Sequence, residues 1–570
     1  MLRTRNSLLL AALVLPALSF SATYRCQSTG TGAANWSNPA AWTSCNSTYP
    51  HNNGGDIYTA DIVTARNFTL DVSITLGESG AVDAAGAGTL SASSSQTVVG
   101  TGTSFTTSFI PGDVFTTSTG IGYTWTVQSI ADDTHLTVYP VVTLSSATYT
   151  IRRHALWIQS TTATIVSASG VTLTLKGDAN LASSLTMADG TTLSLSGAAY
   201  RVYAGSGEMT QPGSLVINGT SASRATVTSD SGGYLFGKAT NSLQAHYVDF
   251  SGLGSASTAA VIFNPAAGNT FSIDHSTFTN CGQVATTPGG SMALGASFVF
   301  TNNRLVSLPA GVPTLYTFMN IASTAGAPTG SRSITNNALE IPTHDVMYTT
   351  QVSGTGFTVK ENVLDVMGMS GAAAGPIANF SDNLFVVRNS DSSANWSFVG
   401  QGGDTLRNLY FLNDEGPGQL NEHQLMSLDV PSLAGTFTLT NYIFERSGDA
   451  LYDITHAGSP ASVTVTYAWK NILALPTSVG LGSGRLRLRG NANDIIQISH
   501  VTGLGDGHDP GSGNSGGLLS AGSQYGGYAN MITALRDNLV WHNSVWSGAG
   551  TMGFLGSYTT AYTTADLLAA

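Results

Sequence analysis

Charged residues are scarce in this chain. Of its 570 residues, 9% are Asp, Glu, Lys or Arg, against about a quarter in ordinary globular domains. The formal net charge is −12, the acidic residues are scattered, and no stretch carries the basic stripe with which proteins bind duplex nucleic acid. Nucleic acid is therefore not expected among its partners.

Long apolar runs and capped amphipathic helices are missing as well. After the N-terminal leader, no apolar stretch reaches the roughly 20 residues that a membrane-spanning helix needs, so no transmembrane segment is expected in the mature chain. No long stretch repeats its apolar residues at helical spacing between recognisable caps. Gly, Ser, Thr, Val and Ala dominate instead, and this composition indicates an all-β protein.

Cysteine is rare, with three in the chain. Cys26 and Cys45 flank one short segment and are expected to form a disulfide in an oxidising compartment. Cys281 is left over, and the usual burial of free cysteine favours a small apolar residue packed inside a coil.

Residues 1–21 have the features of a secretory signal peptide. Arg3 and Arg5 give a positive start, Leu8 to Leu18 are mostly apolar, and Ser19-Phe20-Ser21 offers small residues for cleavage. No lipid-attachment cysteine follows the apolar run directly. The protein is therefore expected to be secreted, extracellular or held at the cell surface.

What the chain has in abundance is one phrase, repeated between His246 and Trp541: two or three alternating apolar residues, a polar position, then another apolar pair. We call the polar position the slot. It is Asn in eight of eleven phrases, and it falls at His246, His275, Asn303, Asn337, Asn362, Asn383, Asn408, Asn441, Asn471, His500 and Asn538. Such a unit cannot bury its apolar face alone and must stack on its neighbours, which predicts a solenoid of strands.

Asparagine suits a bend between strands for two reasons. It tolerates the left-handed backbone conformation, and in stacked units its amide can hydrogen-bond to the residues above and below. Because His246, His275 and His500 occupy slots, a structural role in the ladder is favoured for them over metal binding.

Residues 88–153 interrupt the pattern with five or six short strands separated by PGD and DD turns. This segment resembles the small β-barrel insert of phage tail and bacterial surface β-helix proteins, which implies a spacer without fixed activity. Asp132, Asp133 and His135 stand together in it and are interpreted as turn residues.

Residues 22–87 open the mature protein with NWSNPAAW and an alternating strand pair. This pattern resembles the start of the glycine-rich "G-eight" extracellular module, which implies a cap on a right-handed parallel β-helix at a cell surface. Trp36 and Trp42 are interpreted as packing in the cap, not as platforms for sugar rings.

Beyond Ala155, Gly177, Gly197 and Gly219 stand 20 and 22 residues apart, one coil each. Together with the slots, residues 154–570 resemble the right-handed parallel β-helix repeat family over about 400 residues. The predicted fold is all-β: a right-handed parallel β-helix of roughly fifteen coils, with a small β-barrel or sandwich inserted near the N-terminus.

Candidate chemistry comes from counting forward from the slots. Six residues a few positions past the slots are catalytic candidates: Asp391, Asp414, Glu415, Asp449, Asp506 and His508. Two arginines, Arg388 and Arg446, each lie five residues past a slot and are candidates for binding the substrate. If the coils are in register, these residues form an edge column with separations of about 5 or 10 Å. Glycosidases place their two carboxyl groups at similar separations, while a lyase would use a base and an arginine.

The alternative is an ordinary solvated surface, on which charged pairs contribute little. The Asn-Thr-Asp, Asp-Asp, Gly-His-Gly and Arg-Ile-Lys motifs of polygalacturonases are absent as a set. A second group, Glu422, His423, Asp453 and His456, has only loose metal-ligand spacing. No cofactor is expected, and Ca²⁺ is conceivable without support from a motif.

Three functions remain open from the sequence. The first is an exported β-helix that mediates adhesion or contacts glycans without turnover. The second is an extracellular polysaccharide lyase or glycoside hydrolase that uses the acidic edge, and the third is a phage-tail-like spike, which would trimerise through a C-terminal assembly domain not recognised here. The oligomeric state is not predicted.

Overall fold

A computed structural model describes part of the chain: residues 22–53, 55–78, 84–117, 125–205, 213–237, 241–263, 266–312, 315–323, 329–349, 358–369, 371–373, 379–387, 396–399, 405–413, 423–424, 427–429, 435–446, 450–455, 465–476, 485–490, 495–505, 519–523, 532–536, 539–542 and 555–556. The predicted signal peptide at 1–21 and the slot at Asn538 lie outside these residues. No helix in the described part is long and apolar enough to cross a membrane.

The N-terminal strands are β1 (Thr23–Ser28), β2 (Gly32–Asn35), β3 (Trp42–Thr43), β4 (Ile57–Ile62), β5 (Arg66–Leu70) and β6 (Ile74–Gly77), with a 3-10 helix at Pro39–Ala41. Next come β7 (Ala84–Ala85), β8 (Thr89–Thr101), β9 (Val114–Thr117), β10 (Trp125–Ile130), β11 (His135–Ala147) and β12 (Tyr149–Arg152), with helix α1 at Phe105–Ser108.

The strands of the middle part are β13 (His154–Ile158), β14 (Thr164–Ser167), β15 (Thr172–Lys176), β16 (Asp178–Leu181), β17 (Ser184–Met187), β18 (Thr192–Leu195), β19 (Arg201–Ala204), β20 (Gly213–Asn218), β21 (Ala225–Ser229), β22 (Tyr234–Gly237), β23 (Asn241–His246), β24 (Val248–Ser251), β25 (Val261–Phe263), β26 (Thr270–Asp274), β27 (Thr277–Thr279), β28 (Ala285–Met292), β29 (Ser297–Thr301), β30 (Arg304–Leu305), β31 (Leu315–Ser323), β32 (Arg332–Thr335) and β33 (Ala338–Thr349).

The remaining strands are β34 (Thr358–Lys360), β35 (Val363–Met369), β36 (Gly371–Ala373), β37 (Asn379–Ser381), β38 (Leu384–Val387), β39 (Trp396–Val399), β40 (Thr405–Asn413), β41 (His423–Gln424), β42 (Ser427–Asp429), β43 (Gly435–Arg446), β44 (Ala450–Thr455), β45 (Val465–Pro476), β46 (Arg485–Gly490), β47 (Ile495–Gly505), β48 (Leu519–Ser523), β49 (Ile532–Arg536), β50 (Leu539–His542) and β51 (Leu555–Gly556).

The chain folds as a parallel β-helix, as predicted. From β13 to β30 each strand pairs in parallel with the strand three places further along, so three strands complete one coil. Leu173, for example, is in register with Leu193, which is in register with Val227. Because side chains alternate across a strand, these three point into the coil and are buried, while the threonines beside them are only partly covered.

Aromatic side chains stack from coil to coil in the core. The rings of Phe271 and Phe298 are parallel with centroids 4.4 Å apart, and those of Phe250 and Phe278 are 4.7 Å apart. Each such pair contributes about 0.5 to 1.5 kcal/mol beyond the burial of its area. Cys281 is also fully buried, as predicted, and burial raises the pKa of its thiol to about 11.

The first coil is closed by a disulfide and an aromatic group. Cys26 and Cys45 are bonded, as predicted. Trp36, Trp42 and Phe68 pack against one another, and the indole N–H of Trp36 donates to the carbonyl of Pro50 at 3.0 Å. Both tryptophans are buried, which confirms that they pack in the core and do not present their rings to solvent.

Strands β7 to β12 form a separate six-stranded antiparallel sheet with its own apolar core. It occupies the segment in which the sequence predicts an inserted small β unit. Asp132 accepts hydrogen bonds from the backbone N–H and hydroxyl of Thr134 at 2.7 and 2.8 Å, and Asp133 accepts one from the N–H of Thr106. The prediction of turn chemistry is confirmed for Asp132, whereas the side chain of Asp133 bonds helix α1, 27 residues away in sequence.

A buried charged cluster joins this sheet to the β-helix. His154, at the start of β13, lies between Asp61 of β4 and Asp113, which precedes β9, and all three side chains are fully buried. Its Nε2 is 2.9 Å from an Asp61 oxygen, and its Nδ1 is 3.0 Å from an Asp113 oxygen. Arg25 and Arg153 contact the same two carboxylates from the outside. The cluster fixes where the six-stranded sheet leaves the coil.

Candidate functional site

One corner of the coil carries a column of residues in the left-handed conformation. Their φ values lie between 48° and 61°, and they are Tyr247, His275, Asn302, Asn336, Glu361, Asp382, Asn408, Asn441, Asn471 and His500. The pairing of the flanking strands places them in register in successive coils. From Asn336 onwards the side chains are exposed. We call this column the corner ridge.

Amides link members of the ridge. Asn408 donates to Asp382 at 2.6 Å, Asn441 to Asn408 at 2.8 Å, and Asn471 to Asn441 at 2.9 Å. Asn336 donates to Asn302 in the same way. These contacts confirm the two properties for which asparagine was expected, tolerance of the left-handed conformation and hydrogen bonding between coils.

A second column lies one residue further on and is buried. Asn303, Asn337, Asn362 and Asn383 are each 3% exposed or less. The Nδ2 of Asn362 donates to the carbonyl of Ile334 at 2.9 Å, and its Oδ1 accepts the backbone N–H of Asn337 at 3.0 Å. The other three repeat this pattern. We call these four residues the buried ladder.

The slots of the sequence therefore belong to two columns and not to one. Asn383 is in the buried ladder, whereas Asn408 stacks on Asp382 in the corner ridge, and Leu409 is the residue in register with Asn383. His246 also departs from the pattern, because Tyr247 is the left-handed residue of that coil. Sequence cannot separate the two columns, since asparagine is favoured at an exposed left-handed bend and in a buried amide stack alike.

This shift changes the count that selected the acidic edge. Arg446 is in register with Asn413, and Asn413 with Val387, so Val387 stands in the column of Arg446. The count from the slots is therefore out of step by one residue between these coils, and the prediction that the two arginines share a column stays a prediction. Arg388 lies outside the described residues, as do the catalytic candidates Asp391, Asp414, Glu415, Asp449, Asp506 and His508. Their roles stay predictions.

The loosely spaced metal-ligand group is only partly described. His423 is in register with Ala450, three positions before Asp453, so their backbones are offset by about 10 Å along the strands. Glu422 and His456 lie outside the described residues.

The structure brings together three side chains that the slot pattern does not group. His246 and Asp274 are paired in register on β23 and β26, and His275 follows Asp274 directly. The Nδ1 of His246 contacts Oδ1 of Asp274, and the Nδ1 of His275 is 3.4 Å from the same oxygen. The ligand atoms of the three residues all lie within 4.8 Å of one another. We call this group the histidine corner.

The histidine corner is open to solvent on one side and supported by an aromatic ring on the other. The side chains of His246, Asp274 and His275 are 47%, 27% and 40% exposed. The ring of Tyr247 stacks on that of His275 with centroids 4.5 Å apart. Arg224 lies 5.9 Å from the centre of the Tyr247 ring and donates to Asp249 at 2.8 Å. The site thus offers imidazoles, a carboxylate, a ring face and a guanidinium within one corner.

A signal for this grouping exists in the sequence, although the slot pattern hides it. Asp274 immediately precedes one slot histidine and stands 28 residues after the other, which is one coil. Only the register of β23 against β26 shows that this spacing places Asp274 beside His246.

Comparisons with known proteins add little. No protein-family model and no curated protein matches the chain, so the resemblance of residues 22–87 to the glycine-rich module stays a prediction. Among solved structures, the tailspike gp61 of Pseudomonas phage phi297 matches 89% of this chain and 72% of its own, at 11% identity and a TM-score of 0.24.

A second solved structure is the Gp54 tailspike of Acinetobacter baumannii bacteriophage AP22, in complex with an A. baumannii capsular saccharide. It matches 88% of this chain and 74% of its own, at 8% identity and a TM-score of 0.18. At such TM-scores neither likeness carries an argument, and the assignment of the chain to the parallel β-helices rests on its own strand pairing.

Proposed function

We propose that this protein is exported to the cell surface or beyond, and that its corner ridge binds an extended polysaccharide without cleaving it. The observation that carries the proposal is the ridge itself. Successive coils present polar side chains in one line at the spacing of stacked strands, about 4.8 Å. From Tyr247 to His500 this line extends for about 40 Å.

A regular polar row fits a ligand that repeats hydroxyl groups along its length. The amide of Asn441 donates one hydrogen bond to Asn408 and accepts one from Asn471. A side-chain amide has two N–H donors and two acceptor lone pairs, so half of its capacity remains for a ligand. The hydrogen bonds along the corner ridge also hold each amide in one orientation, which lowers the conformational entropy lost when a ligand binds.

The low charge of the chain supports a neutral or weakly charged ligand. Only 9% of its residues are charged, and the ridge combines amides with Glu361, Asp382 and two histidines. Binding through hydrogen bonds to such side chains needs no strong electrostatic steering.

One observation favours hydrolysis as a second candidate function. Glu361 and Asp382 are neighbours on the ridge, in adjacent coils, so their backbones are separated by about 4.8 Å. A retaining glycosidase holds its two carboxyl groups about 5 Å apart. Slight burial acts to raise the pKa of Asp382, but the hydrogen bond from Asn408 and the positive charges of Arg407 and Lys360 lower the pKa overall. A lowered pKa suits a nucleophile and not the general acid.

The test is a panel of plant, algal and bacterial polysaccharides, offered to the purified protein under conditions that detect both binding and cleavage. Affinity electrophoresis reports binding, and new reducing ends or the ultraviolet absorbance of unsaturated uronic acids report cleavage. The proposal predicts a retained complex and no products. Products that Glu361→Gln or Asp382→Asn abolishes would establish the hydrolytic alternative instead.

A tail-like spike is distinguished by its assembly. Light scattering coupled to size exclusion gives the molar mass of the protein in solution. A stable trimer would favour the spike, while the surface role proposed here makes no demand on the number of chains.

A further inference from the structure

We propose that the histidine corner, His246, Asp274 and His275, binds one divalent transition-metal ion of the zinc class. This inference stands apart from polysaccharide binding, because it rests on the ligand atoms of three side chains and not on the length of the ridge. No metal role follows from the slot pattern, which treats both histidines as substitutes for asparagine.

The geometry comes close to that of a three-ligand site. Zinc bonds histidine nitrogen and carboxylate oxygen at about 2.0 to 2.2 Å, so adjacent ligand atoms in a tetrahedral site are roughly 3.3 Å apart. The Nδ1 of His275 lies 3.4 Å from Oδ1 of Asp274, and all three ligand atoms lie within 4.8 Å of one another. The imidazole rings of His246 and His275 are 5.8 Å apart and nearly perpendicular, so they approach a common point from different directions.

The donor set selects the kind of ion. Two imidazole nitrogens and one carboxylate oxygen suit zinc, copper, nickel or cobalt, whereas calcium takes six to eight oxygen ligands and magnesium an octahedron of oxygens. Three protein ligands leave a coordination position for water or for a ligand atom. With 27% to 47% of each side chain exposed, that position faces solvent.

The scaffold alone does not require these residues. The two coils that follow hold Thr301 with Asn302 and Thr335 with Asn336 in the positions of Asp274 and His275. Threonine and asparagine thus satisfy the corner. The fold therefore does not need two imidazoles around one carboxylate. The two histidines belong to neighbouring coils, and their side chains meet at Asp274.

Neighbouring side chains hold the ligands in place. The ring of Tyr247 contacts both histidines: it is stacked on His275 and edge-on to His246, with ring centroids 4.5 and 4.6 Å away. Support of this kind around the ligands of a metal fixes ring orientation. A bound ion would also tie two adjacent coils together, since His246 belongs to one and Asp274 and His275 to the next.

The experiment measures zinc binding by the full exported chain without an affinity tag. Equilibrium dialysis gives stoichiometry and affinity, and the visible absorbance of bound cobalt reports the coordination number. The variants are His275→Asn, His246→Asn and Asp274→Asn. Asparagine is the residue that the ridge uses at other left-handed positions, so His275→Asn is expected to keep the fold, which circular dichroism and thermal unfolding check.

The proposal predicts one zinc ion per chain, with binding weakened about 10- to 100-fold or more in each variant. His500→Asn is the matched control, because His500 is exposed and left-handed on the same ridge; it should leave zinc binding unchanged. Excess calcium should not displace zinc. Failure of the wild-type chain to retain zinc, or equal retention by folded His275→Asn and His246→Asn, would overturn the proposal whatever the polysaccharide panel shows.

Discussion

The Nε2 atom of His154 lies 2.9 Å from Oδ1 of Asp61, and both side chains are fully buried. The other ring nitrogen faces Asp113, so both nitrogens meet carboxylate oxygens, as a protonated imidazolium requires. Burial acts to lower the pKa of His154, but attraction to Asp61 and hydrogen bonds to both acids outweigh it and raise the pKa to about 9. A positive charge at neutral pH therefore joins the six-stranded sheet to the β-helix.

This cluster predicts a loss of stability at alkaline pH. Because the folded pKa of His154 exceeds the unfolded value of 6.5, its contribution is complete below pH 6.5 and is lost as the pH rises through about 9. The measurement is the midpoint of thermal unfolding across this range. In His154→Ala the unfolding midpoint should fall at neutral pH, because a buried ion pair that loses one partner costs about 3 to 5 kcal/mol. The midpoint should also lose most of its dependence on alkaline pH, because the group that titrates there is gone.

The exposed pair of His135 and Asp132 supplies the control. His135→Ala removes a histidine that also contacts an aspartate, but at the surface of the six-stranded sheet. Its unfolding midpoint should follow that of the wild type across the same alkaline range. An alkaline transition that survives in His154→Ala would assign it to another group.

The same cluster predicts a second loss in acid. Burial acts to raise the pKa of Asp113, but its hydrogen bond with His154 and the charges of His154 and Arg153 lower it overall. The contribution of Asp113 is therefore present above its unfolded value of 3.8 and disappears as the pH falls through the lowered folded pKa. Asp113→Asn should reduce the stability difference between neutral pH and pH below 3.8, measured by urea unfolding.

Replacement of a residue of the buried ladder should cost more than replacement of one on the corner ridge. Asn362→Ala leaves the backbone N–H of Asn337 and the carbonyl of Ile334 without their partner. Each buried group left unsatisfied costs about 1 to 3 kcal/mol, so we expect a loss of at least about 2 kcal/mol. Asn441→Gly on the exposed ridge should cost less than about 1 kcal/mol. Equal costs in chemical unfolding would contradict the division into two columns.

The left-handed backbone of the ridge makes a separate prediction. At Asn336, with φ 54°, glycine adopts the required conformation freely, whereas a β-branched residue does not. Both Asn336→Gly and Asn336→Val remove the hydrogen bond to Asn302, so their difference isolates the backbone. Valine should be less stable than glycine by about 1 to 2 kcal/mol. If the valine variant unfolds at the same denaturant concentration as the glycine variant, the corner is not held left-handed in solution.

The fold was predictable from the sequence because its cause is local and repeated. Alternating apolar residues such as Leu173 and Leu175 must be covered, and coils of similar length cover one another. The turn at Asp132, the packing of Trp36 and the disulfide of Cys26 with Cys45 follow equally from short-range chemistry.

The site was not predictable to the same degree, because it depends on register. Asn383 and Asn408 look alike in sequence but occupy different columns, and the count that begins at them slips by one residue. Asp274 comes beside His246 only when β23 and β26 are aligned. The slot pattern shows where the chain bends but not which way the side chains point, so it does not give the alignment of β23 with β26.

The most direct measurement of the central claim is the affinity of ridge variants for a polysaccharide that the wild type retains. In the triple variant Asn408→Gly, Asn441→Gly and Asn471→Gly, the left-handed corner is kept and three exposed amides are removed. Asn280→Gly is the control, since Asn280 is exposed and left-handed but lies five residues past His275, beyond the ridge. We expect the triple variant to bind at least about tenfold more weakly, because each hydrogen bond contributes a net free energy of about 1 kcal/mol. The control should bind as the wild type does. Unchanged affinity in the triple variant, or a polysaccharide that the wild type consumes, would contradict binding by the ridge without turnover.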